Sequence, residues 1–494
     1  MRVGSPPVDA TFPLVRLADV AAAAGGQVRG SSDTEVRDAA YDSRDVAAGS
    51  LFFCMPGETA DGHAFAGDAV RAGAAALVVE HAVDAPAPQV IVRSVREAIG
   101  PMSAVVFAHP GRDLTLVGIT GTNGKTTSTY LLESVFRAAG RAAGVVGTTG
   151  LRIDGVREPL VHTTPEAPDL QRALFRMRAE GVRAVAIEIS SHALAQHRTD
   201  GLVVDVALFT NLSQDHLDFH PSMEAYFEAK RRLFTPGHAR RGVINGDDPW
   251  GRRLLAAADI ETTSYGTTSG DADVVATRVE VGRDGIRFSV EGVEVRSALR
   301  GAFNVSNCLG VFAVARALSI DDAAIVEGIA ALDVVPGRME PVDAGQPFTV
   351  VVDYAHTPDS IHSVLRGARP LADGQVIIVF GCGGDRDRAK RPAMGEAAAA
   401  DADLVIVTSD NPRSEDPDRI IADVLTGIAA SKAVIVEPDR RAAIGRAVDA
   451  AGLGDVVVIA GKGHETTQEI DGAFAPFDDR VAAREAIEAR LGVR

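Results

Sequence analysis

Cysteine is scarce in this chain. Among 494 residues it occurs only at Cys54, Cys308 and Cys382, which are widely separated and odd in number. This spacing gives neither a CxxC pair nor the even set of half-cystines from which a disulfide framework is built. The cysteine usage therefore favours a reducing compartment.

Long apolar runs are also lacking. No run approaches the roughly 20 residues that a membrane-spanning helix needs. The N-terminal segment MRVGSPPVDATFPLVRLADV has no uninterrupted apolar core of the kind found in signal peptides. We therefore expect a cytoplasmic protein that does not bind membranes.

Positive charge is in deficit. Fifty basic side chains face 67 acidic ones, so the formal net charge is −17 at pH 7. Such a balance argues against a general binder of nucleic acids or anionic membranes. An anionic small substrate stays possible, because local clusters of basic residues decide that question.

The length and the order of apolar segments predict an α/β protein of about three domains. Residues 1–112 hold short strand-like segments, SLFFCM, AAALVVE and PQVIVR, between alanine-rich helical stretches. We interpret them as a smaller α/β N-terminal domain. Residues 113–338 alternate strands with helices, which implies a parallel sheet. Within this second block, DVVATRVEVGRDGIRFSVEGVEVRSAL looks antiparallel, since it contains Asp-Gly and Glu-Gly turns.

Residues 339–494 repeat the alternation of strands and helices. The strands FTVVVDYA, GQVIIVFG, DLVIVTSD, KAVIVE and DVVVIAG are separated by helical segments. This pattern is typical of a doubly wound, Rossmann-like sheet. The predicted fold therefore has two such sheets in series after the N-terminal domain.

The segment VGITGTNGKTTSTY predicts a phosphate-binding loop. It reads as a strand, a glycine-rich turn and the start of a helix, whose backbone N–H groups favour phosphate oxygens. Lys125 can reach the β- and γ-phosphates, and the Thr126 hydroxyl can bind Mg²⁺. The general pattern has glycine six residues before the lysine, where Ile119 stands. A glycine-rich connector without function is the alternative.

Two strand ends downstream offer metal ligands. Glu188 ends an apolar strand, where an unpaired carboxylate would be costly to bury. The next strand ends in NLSQDHLDFH, with Asp215, His216, Asp218 and His220. Oxygen ligands suit Mg²⁺. Zinc on the histidines is a weaker alternative because no cysteine joins them, and hydrogen-bonded loop histidines are the plain one.

The segment TSDNPRSEDP places Asp410, Asn411, Pro412 and Arg413 directly after an apolar strand. The carboxyl ends of strands are where α/β sheets present their ligand sites. A solvated turn is the plain alternative, since Asn-Pro commonly opens turns.

Several short motifs occur together in a characteristic order. GTNGKTT, EISSH, DHLDFH, YFEAKRRLF, NVSN, GRME, DYAHTP and DNPR follow one another as they do in Mur ligases, and the chain resembles that family over residues 42–465. The family's phosphate loop has the short form seen here, which accounts for Ile119. Pro221, where glycine is more usual, departs from the family pattern and concerns only the local shape of that loop.

The resemblance implies an ADP-forming ligase that makes an amide bond. It implies ATP-dependent addition of meso-diaminopimelate to UDP-N-acetylmuramoyl-L-alanyl-D-glutamate, through an acyl phosphate, in the synthesis of peptidoglycan precursors. ATP and Mg²⁺ are the implied cofactors. We expect a monomer with no nucleic-acid partner.

The resemblance also assigns roles to residues of this sequence. It implies catalytic roles for Lys125, Glu188, His216, Lys230 and Arg338. It also implies one Mg²⁺ held by Thr126 and Glu188 and another that His216 helps to hold, with carbamylated Lys230 as a further Mg²⁺ ligand. The implied ATP site comprises Gly121, Thr122, Asn123, Gly124, Lys125, Thr126, Thr127, Asn304, Asn307, Asp353 and His356. The plain alternative for the last four of these residues is that they are polar helix-cap and turn residues.

Lys230 needs the resemblance for its role. By itself the run Lys230-Arg231-Arg232 would be a solvated helix face. In Mur ligases the matching lysine is carbamylated and holds Mg²⁺. A lysine whose pKa is lowered by neighbouring cations can react with CO₂ as the neutral amine, and the product is an anionic oxygen ligand.

Substrate contacts are implied in all three blocks. Arg413 can form a two-pronged bond to the distal carboxylate of diaminopimelate, which lysine lacks. Arg388 competes with Arg386 for a place in that pocket. The implied ligands of the UDP-muramoyl-dipeptide are Ser43, Thr163, Thr164, Ser190, Gln196 and Arg198. Those of diaminopimelate are Arg386, Asp410, Asn411, Pro412, Arg413, Gly461 and Glu465.

Three other functions compete with this hypothesis. A related ligase that adds another amino acid or acts on folate is the nearest, although a folate ligase should not need both DNPR and GKGHE. A phosphate-loop switch protein would not explain a second complete sheet. A serine hydrolase built on Ser191 and His192 is disfavoured because no GxSxG motif surrounds them.

Overall fold

The computed structural model describes residues 12–57, 60–268 and 270–492. Residues 1–11, part of the segment used above to argue against a signal peptide, lie outside this described range.

The N-terminal block forms a small sheet in the order β2-β7-β6-β5-β4, with β1 and β3 paired beside it. The neighbours from β4 to β7 are parallel, and β2 is antiparallel to β7. The three predicted apolar strands are β5, β6 and β7. The elements are β1 Val15–Arg16, α1 Leu17–Ala22, β2 Gln27–Arg29, β3 Glu35–Val36, β4 Asp38–Ala40, β5 Ser50–Phe53, α2 Ala66–Ala72, β6 Ala76–Val79, β7 Gln89–Ile91 and α3 Val95–Val106.

The central block forms a long mixed sheet. Its strands begin with β8 Thr115–Thr120, β9 Ala143–Gly147, β10 Gly150–Ile153, β11 Val156–Glu158, β12 Ala184–Glu188 and β13 Val204–Phe209. They continue with β14 Ala239–Asn245, β15 Glu261–Gly266, β16 Val274–Gly282, β17 Gly285–Val290 and β18 Val293–Ser297. The helices are α4 Lys125–Ala138, α5 Ala167–Ala179, α6 Ser191–Ala195, α7 Met223–Arg231, α8 Pro249–Ala257, α9 Phe303–Ala317 and α10 Asp322–Ala330.

The middle of this sheet is parallel and buried on both faces. The order is β11-β10-β9-β12-β8-β13-β14-β15-β16-β17-β18. Apolar residues of β8, β12 and β13 alternate between two hydrophobic clusters, which cover opposite faces of the sheet. The predicted antiparallel segment is β16–β18, which pair as two antiparallel hairpins.

The C-terminal block forms a second sheet in the order β19-β20-β24-β21-β22-β23, which is parallel from β20 to β23. A separate hairpin joins β25 and β26. The strands are β19 Glu340–Pro341, β20 Thr349–Asp353, β21 Val376–Phe380, β22 Leu404–Val407, β23 Val434–Val436, β24 Val456–Ala460, β25 Thr467–Ile470 and β26 Ala473–Pro476. The helices are α11 Pro358–Ala368, α12 Lys390–Asp401, α13 Pro417–Leu425, α14 Arg440–Ala450 and α15 Asp479–Leu491.

The predicted class, an α/β protein with a central parallel sheet and a Rossmann-like C-terminal sheet, is confirmed. The division at residues 112 and 338 stays a prediction. Within the described ranges, no helix combines the length and apolarity needed to cross a membrane.

The two large sheets present their carboxyl edges to each other. Asn123, after β8, donates a hydrogen bond from Nδ2 to Oδ2 of Asp359 in α11, at 3.0 Å. Arg338, just before β19, donates from Nη2 to Oγ1 of Thr126 in α4, at 3.1 Å. Because parallel strands of one sheet end at the same edge, the loops that follow them meet between the sheets.

Candidate active site

The turn between β8 and α4 forms the phosphate loop predicted from the sequence. Gly121 and Gly124 have φ angles of +149° and +89°, which side chains rarely adopt. The loop is also closely packed, since a Cβ at Gly124 would overlap Oδ1 of Asn307. Backbone N–H groups at the start of α4 thus remain directed toward the adjoining cavity, where they favour an anion.

Lys125 stands at the first position of α4 and reaches back over the loop. Its Nζ donates to the carbonyl oxygens of Gly121 and Thr122, at 2.8 Å each. Burial lowers the pKa of the Lys125 ammonium, and the nearby carboxylates of Glu188 and Asp215 oppose this effect. The ammonium is therefore already next to the place where phosphate oxygens would bind.

Glu188, the last residue of β12, has a fully buried side chain. Its Oε2 accepts hydrogen bonds from the hydroxyls of Thr126, at 3.2 Å, and Thr148, at 2.9 Å. Its Oε1 accepts from the Thr148 backbone N–H at 3.1 Å. A buried carboxylate is costly unless it is hydrogen-bonded or faces a cation, and Glu188 lines a cavity of about 600 Å³ beside the phosphate loop.

The residues around Glu188 fit a magnesium ion. A carboxylate and a threonine hydroxyl are hard oxygen donors, and Mg²⁺ usually keeps several ligands from water and phosphate. No group of three or more His, Cys, Asp or Glu side chains with metal-binding geometry occurs in the described part of the chain.

Lys230 lies at the end of α7 and is buried, with 1% of its surface exposed. Its Nζ donates to the Gly121 carbonyl oxygen at 2.9 Å and lies 4.6 Å from the centre of the Tyr226 ring. Burial, and secondly the charge of Lys125, lower the pKa of Lys230 well below its usual value. A solvated helix face is therefore the wrong description of Lys230.

The expectation that neighbouring cations lower the pKa of Lys230 holds for Lys125, although burial is the larger cause. Arg231 forms ion pairs with Glu228 and Asp259, and Arg232 with Asp200. The cation that matters is therefore distant in sequence and is brought close by the fold.

Asp215 joins the two sheets across the cavity. Its carboxylate lies 3.4 Å from Nε2 of His216, 3.7 Å from Nε2 of His356 and 3.8 Å from Nζ of Lys390. These groups lower the pKa of Asp215 although burial opposes them. Burial lowers the pKa of His216 to about 3. The ring of His216 is thus neutral near pH 7 and can offer a nitrogen lone pair.

A second cavity, of about 320 Å³, lies between the central and C-terminal blocks, next to the first. Asp215, His216, Tyr354 and His356 line both cavities. Of the residues predicted to bind diaminopimelate, all but Pro412 line it: Arg386, Asp410, Asn411, Arg413, Gly461 and Glu465.

Arg413 has one side of its guanidinium occupied. Its Nη1 donates to the Gly384 carbonyl oxygen at 2.7 Å, and its Nε lies 3.3 Å from Oε2 of Glu469. Nη2 has no hydrogen-bond partner among the described residues, so it can bind a ligand. Arg386 lines the cavity, whereas Arg388 pairs with Glu415 at 3.0 Å and lines neither cavity.

Most residues predicted to bind ATP surround the first cavity. Asn304 is an exception: it donates to the Arg300 carbonyl oxygen and accepts from Asn307, so it lies behind Asn307. Asp353 accepts from the backbone N–H groups of Met339 and Ala355, which orders the loop beside the cavity. The predicted residues that line the cavity are Thr122, Asn123, Gly124, Lys125, Thr126, Thr127, Glu188, His216, Lys230, Asn307, Arg338, Asp353 and His356.

Only some of the residues predicted to bind the muramoyl-dipeptide line a cavity. Thr163 and Ser190 line the first cavity. Thr164 is buried behind it and donates to the Glu188 carbonyl oxygen at 2.7 Å. Gln196 accepts from Arg198, at 2.7 Å, outside the lining. Ser43 begins a 3₁₀ turn in the N-terminal block and lines neither cavity.

The sequence reading missed Lys390 and Lys462, both of which are buried beside the second cavity. A compositional signal could have found them. Only five of the 50 basic residues are lysines: Lys125, Lys230, Lys390, Lys432 and Lys462. All but Lys432 lie at the two cavities, so lysine in this arginine-rich chain marks the site.

Three family models match the chain in order. They are described as "Mur ligase family, catalytic domain" at residues 35–105, "Mur ligase middle domain" at 119–315 and "Mur ligase, glutamate ligase domain" at 337–463. The architecture and the phosphate loop already define a nucleotide-dependent enzyme of two facing sheets, and these matches specify its class.

The sequence matches to curated relatives cover nearly the whole chain. A protein of Streptomyces coelicolor named UDP-N-acetylmuramoyl-L-alanyl-D-glutamate--2,6-diaminopimelate ligase is 45% identical over 496 residues, or 97% of each chain. One of the same name from Geobacillus thermodenitrificans is 46% identical, over 91% of this chain and 94% of its own. The chain belongs to the Mur ligase family.

Solved structures give the same result. The structure of a UDP-N-acetylmuramoyl-L-alanyl-D-glutamate--2,6-diaminopimelate ligase superposes with a TM-score of 0.71 and 35% identity, over 97% of this chain and 100% of its own. The MurF ligase of Thermotoga maritima in complex with ADP has a TM-score of 0.63 at 18% identity, over 92% and 98%. The latter shows the fold alone.

Gly147 tests the packing around Glu188. A Cβ at Gly147 would overlap Oε1 of Glu188, whereas a Cβ at Gly237 would meet open space. We expect Gly147→Ala to displace the carboxylate and to weaken the apparent affinity for Mg²⁺ by about ten- to hundredfold. The measurement is Mg²⁺-dependent ADP release, with Gly237→Ala as the control. An unchanged Mg²⁺ dependence in Gly147→Ala would contradict this account.

Proposed function

We propose that this enzyme adds meso-diaminopimelate to UDP-N-acetylmuramoyl-L-alanyl-D-glutamate with consumption of ATP. The observation that carries the proposal is the pair of adjoining cavities with a common wall. One holds a phosphate loop and a buried carboxylate, and the other holds Arg413 with Asp410 and Glu465. The relatives reported above are named for this activity, and they match nearly the full length of the chain.

The first half of the reaction takes place at the phosphate loop. The carboxylate of the D-glutamyl residue attacks the γ-phosphorus of ATP, the bond to the β-γ bridging oxygen breaks, and ADP leaves. Both partners are anions, so cations are needed around the transferred group. Lys125 and Arg338, whose guanidinium lies beside Thr126, supply them. Mg²⁺, when held at Thr126 and Glu188, adds further positive charge there.

Lys230 is proposed to be carbamylated. In the unprotonated state its buried Nζ is nucleophilic, and attack on CO₂ forms an N–C bond with release of a proton to solvent. The carbamate would place an anionic oxygen beside Lys125 and the loop. His216, neutral through burial, would stand next to it with a free ring nitrogen.

The second half takes place at the common wall. The neutral amine of diaminopimelate attacks the acyl phosphate carbon, and the bond from that carbon to the phosphate oxygen breaks. Phosphate leaves, and the nitrogen gives up one proton to solvent as the amide forms. At this wall, the Asp215 carboxylate lies 3.4 Å from Nε2 of His216 in the central block and 3.8 Å from Nζ of Lys390 in the C-terminal block. The distal carboxylate would bind Arg413, and the distal ammonium would bind Asp410 and Glu465.

The UDP-muramoyl end of the substrate is proposed to lie toward the N-terminal block. Glu166 accepts from Arg96 of α3 at 2.6 Å and pairs with Arg198 at 2.8 Å. This ion-pair cluster fixes the N-terminal block against the central one next to Thr163 and Ser190. We propose residues 1–112 as the UDP-binding domain, 113–338 as the ATPase domain and 339–494 as the amino-acid-binding domain.

The direct test of this function is amine-dependent release of ADP. With ATP, Mg²⁺ and UDP-N-acetylmuramoyl-L-alanyl-D-glutamate present, we expect turnover to require meso-diaminopimelate. Lys125→Ala should reduce kcat by roughly a hundredfold or more, because transition-state charge loses its cation. Lys432→Ala, away from both cavities, is the control. Turnover without any dependence on the amine would exclude this function.

Carbamylation is tested by replacing Lys230. We expect Lys230→Ala to be inactive and short carboxylic acids to restore part of its turnover, because they return an anionic oxygen to the site. Carbon-13 NMR of wild-type enzyme equilibrated with labelled CO₂ should show a carbamate resonance. Active enzyme without that resonance would refute the modification.

Amino-acid selectivity is tested at Arg413. The wild-type enzyme should prefer meso-diaminopimelate over L-lysine by roughly thirtyfold to several thousandfold, corresponding to about 2–5 kcal/mol for a lost buried charge pair. Arg413→Ala should remove most of this preference and leave the KM for ATP unchanged. Arg388→Ala, an arginine outside the cavity, is the matched control. Equal kcat/KM for both amines in wild-type enzyme would defeat the assignment.

A further inference from the structure

Lys462 is a fully buried cation behind the second cavity. It follows β24, in the loop between Gly461 and Gly463, whose φ angles are +118° and +53°. Its Nζ donates to Oδ1 of Asn411 at 2.9 Å and to Oε2 of Glu465 at 3.0 Å. Lys462 does not line the cavity, but both of its partners do.

Lys462 is one of three groups that together determine which way the Asn411 amide points. Oδ1 of Asn411 accepts from Lys462 and from the Glu469 backbone N–H, at 2.9 and 3.1 Å, and both of these groups can only donate. Nδ2 donates to the Glu465 carboxylate at 2.9 Å, and a carboxylate can only accept. If Oδ1 and Nδ2 exchanged places, Nδ2 would face two donors, and Oδ1 would face the carboxylate, which can only accept. One hydrogen of Nδ2 is left for a ligand.

The same contacts leave one oxygen of Glu465 free. Oε2 accepts from both Lys462 and Asn411, whereas Oε1 accepts no hydrogen bond from the described residues. The Glu465 side chain is 31% exposed and lines the cavity. Its orientation is therefore fixed through one oxygen while the other can accept from a ligand ammonium.

Asp410 has a comparable arrangement. Next to it, the buried guanidinium of Arg440 pairs with Asp479 and donates to the Ala460 carbonyl oxygen. A Cβ at Gly461 would meet both Asp410 Oδ2 and Arg440 Nη2. Glu465 is thus held by a buried cation outside the cavity, and Asp410 has another buried cation nearby.

We propose that Lys462 is a positioning residue for amine selectivity. It holds Glu465 and Asn411 so that Glu465 Oε1 accepts from the distal ammonium and Asn411 Nδ2 donates to the distal carboxylate of the incoming amino acid. A substrate with a carboxylate and an ammonium on one distal carbon uses both groups, whereas lysine uses only one. This inference rests on the proposed function.

The experiment is a double-mutant cycle between Lys462→Met and Glu465→Gln, with Lys432→Met as the matched control. Methionine keeps the length of the lysine side chain and removes its charge. We expect Lys462→Met to raise the KM for meso-diaminopimelate by roughly thirtyfold or more. The KM values for ATP and for the UDP substrate should stay within about twofold.

The cycle separates positioning from a general structural role. Because Lys462 acts through Glu465 as well as through Asn411, Lys462→Met should change kcat/KM for the amine by a smaller factor in the Glu465→Gln background than in the wild-type background. Additive effects, an unchanged KM for the amine, or an equal rise in the KM for ATP would each overturn the inference. If circular dichroism shows that Lys462→Met is unfolded, Lys462→Arg replaces it. Lys462→Arg must then retain the preference for meso-diaminopimelate over L-lysine. If Lys462→Arg loses this preference but binds ATP normally, the inference is overturned.

Failure of this inference is distinguishable from failure of the proposed function. Wild-type enzyme without amine-dependent ADP release would remove the function itself. Wild-type enzyme that depends on meso-diaminopimelate, together with an unaffected Lys462→Met variant, would remove only the role of Lys462.

Discussion

The buried carboxylate of Glu188 is the group on which the first cavity depends. It comes to lie in the interior because β12 sits between β8 and β9 in the sheet. Three donated hydrogen bonds, from Thr126 and Thr148, compensate its burial and attach the helix of the phosphate loop to the end of β9. Arg338, which directly precedes the C-terminal block, donates to the same Thr126 hydroxyl. One desolvated charge thus links the loop, the sheet and the neighbouring block.

The second constraint is electrostatic and acts between the sheets. Asp215 faces His216 on its own block and His356 and Lys390 on the other. Its pKa is lowered only because these groups meet in one place, and they meet only when the two carboxyl edges face each other. The common wall of the cavities is therefore a product of docking two sheets.

Charge is distributed unevenly by residue type. The surface and the structural ion pairs use arginine, as in the buried pair of Arg440 and Asp479. Lysine is rare in the chain and is found mostly at the cavities. The difference is physical: an ammonium is a compact charge whose pKa shifts on burial, whereas a guanidinium stays charged and spreads over several donors. Burial lowers the pKa of Lys230 in this way.

The sequence by itself determined the order of strands and helices, the phosphate loop and the polar residues at strand ends, since these depend on local periodicity and turn chemistry. Through the order of its motifs it also indicated the family. It could not show that Asn304 lies behind Asn307, that Thr164 supports the strand end from behind, or that Lys462 holds Asn411 and Glu465. Nor could it identify the cause of the lowered Lys230 pKa, which is burial and Lys125. Those facts depend on distances between residues far apart in the chain, which only the packing of whole sheets and helices fixes.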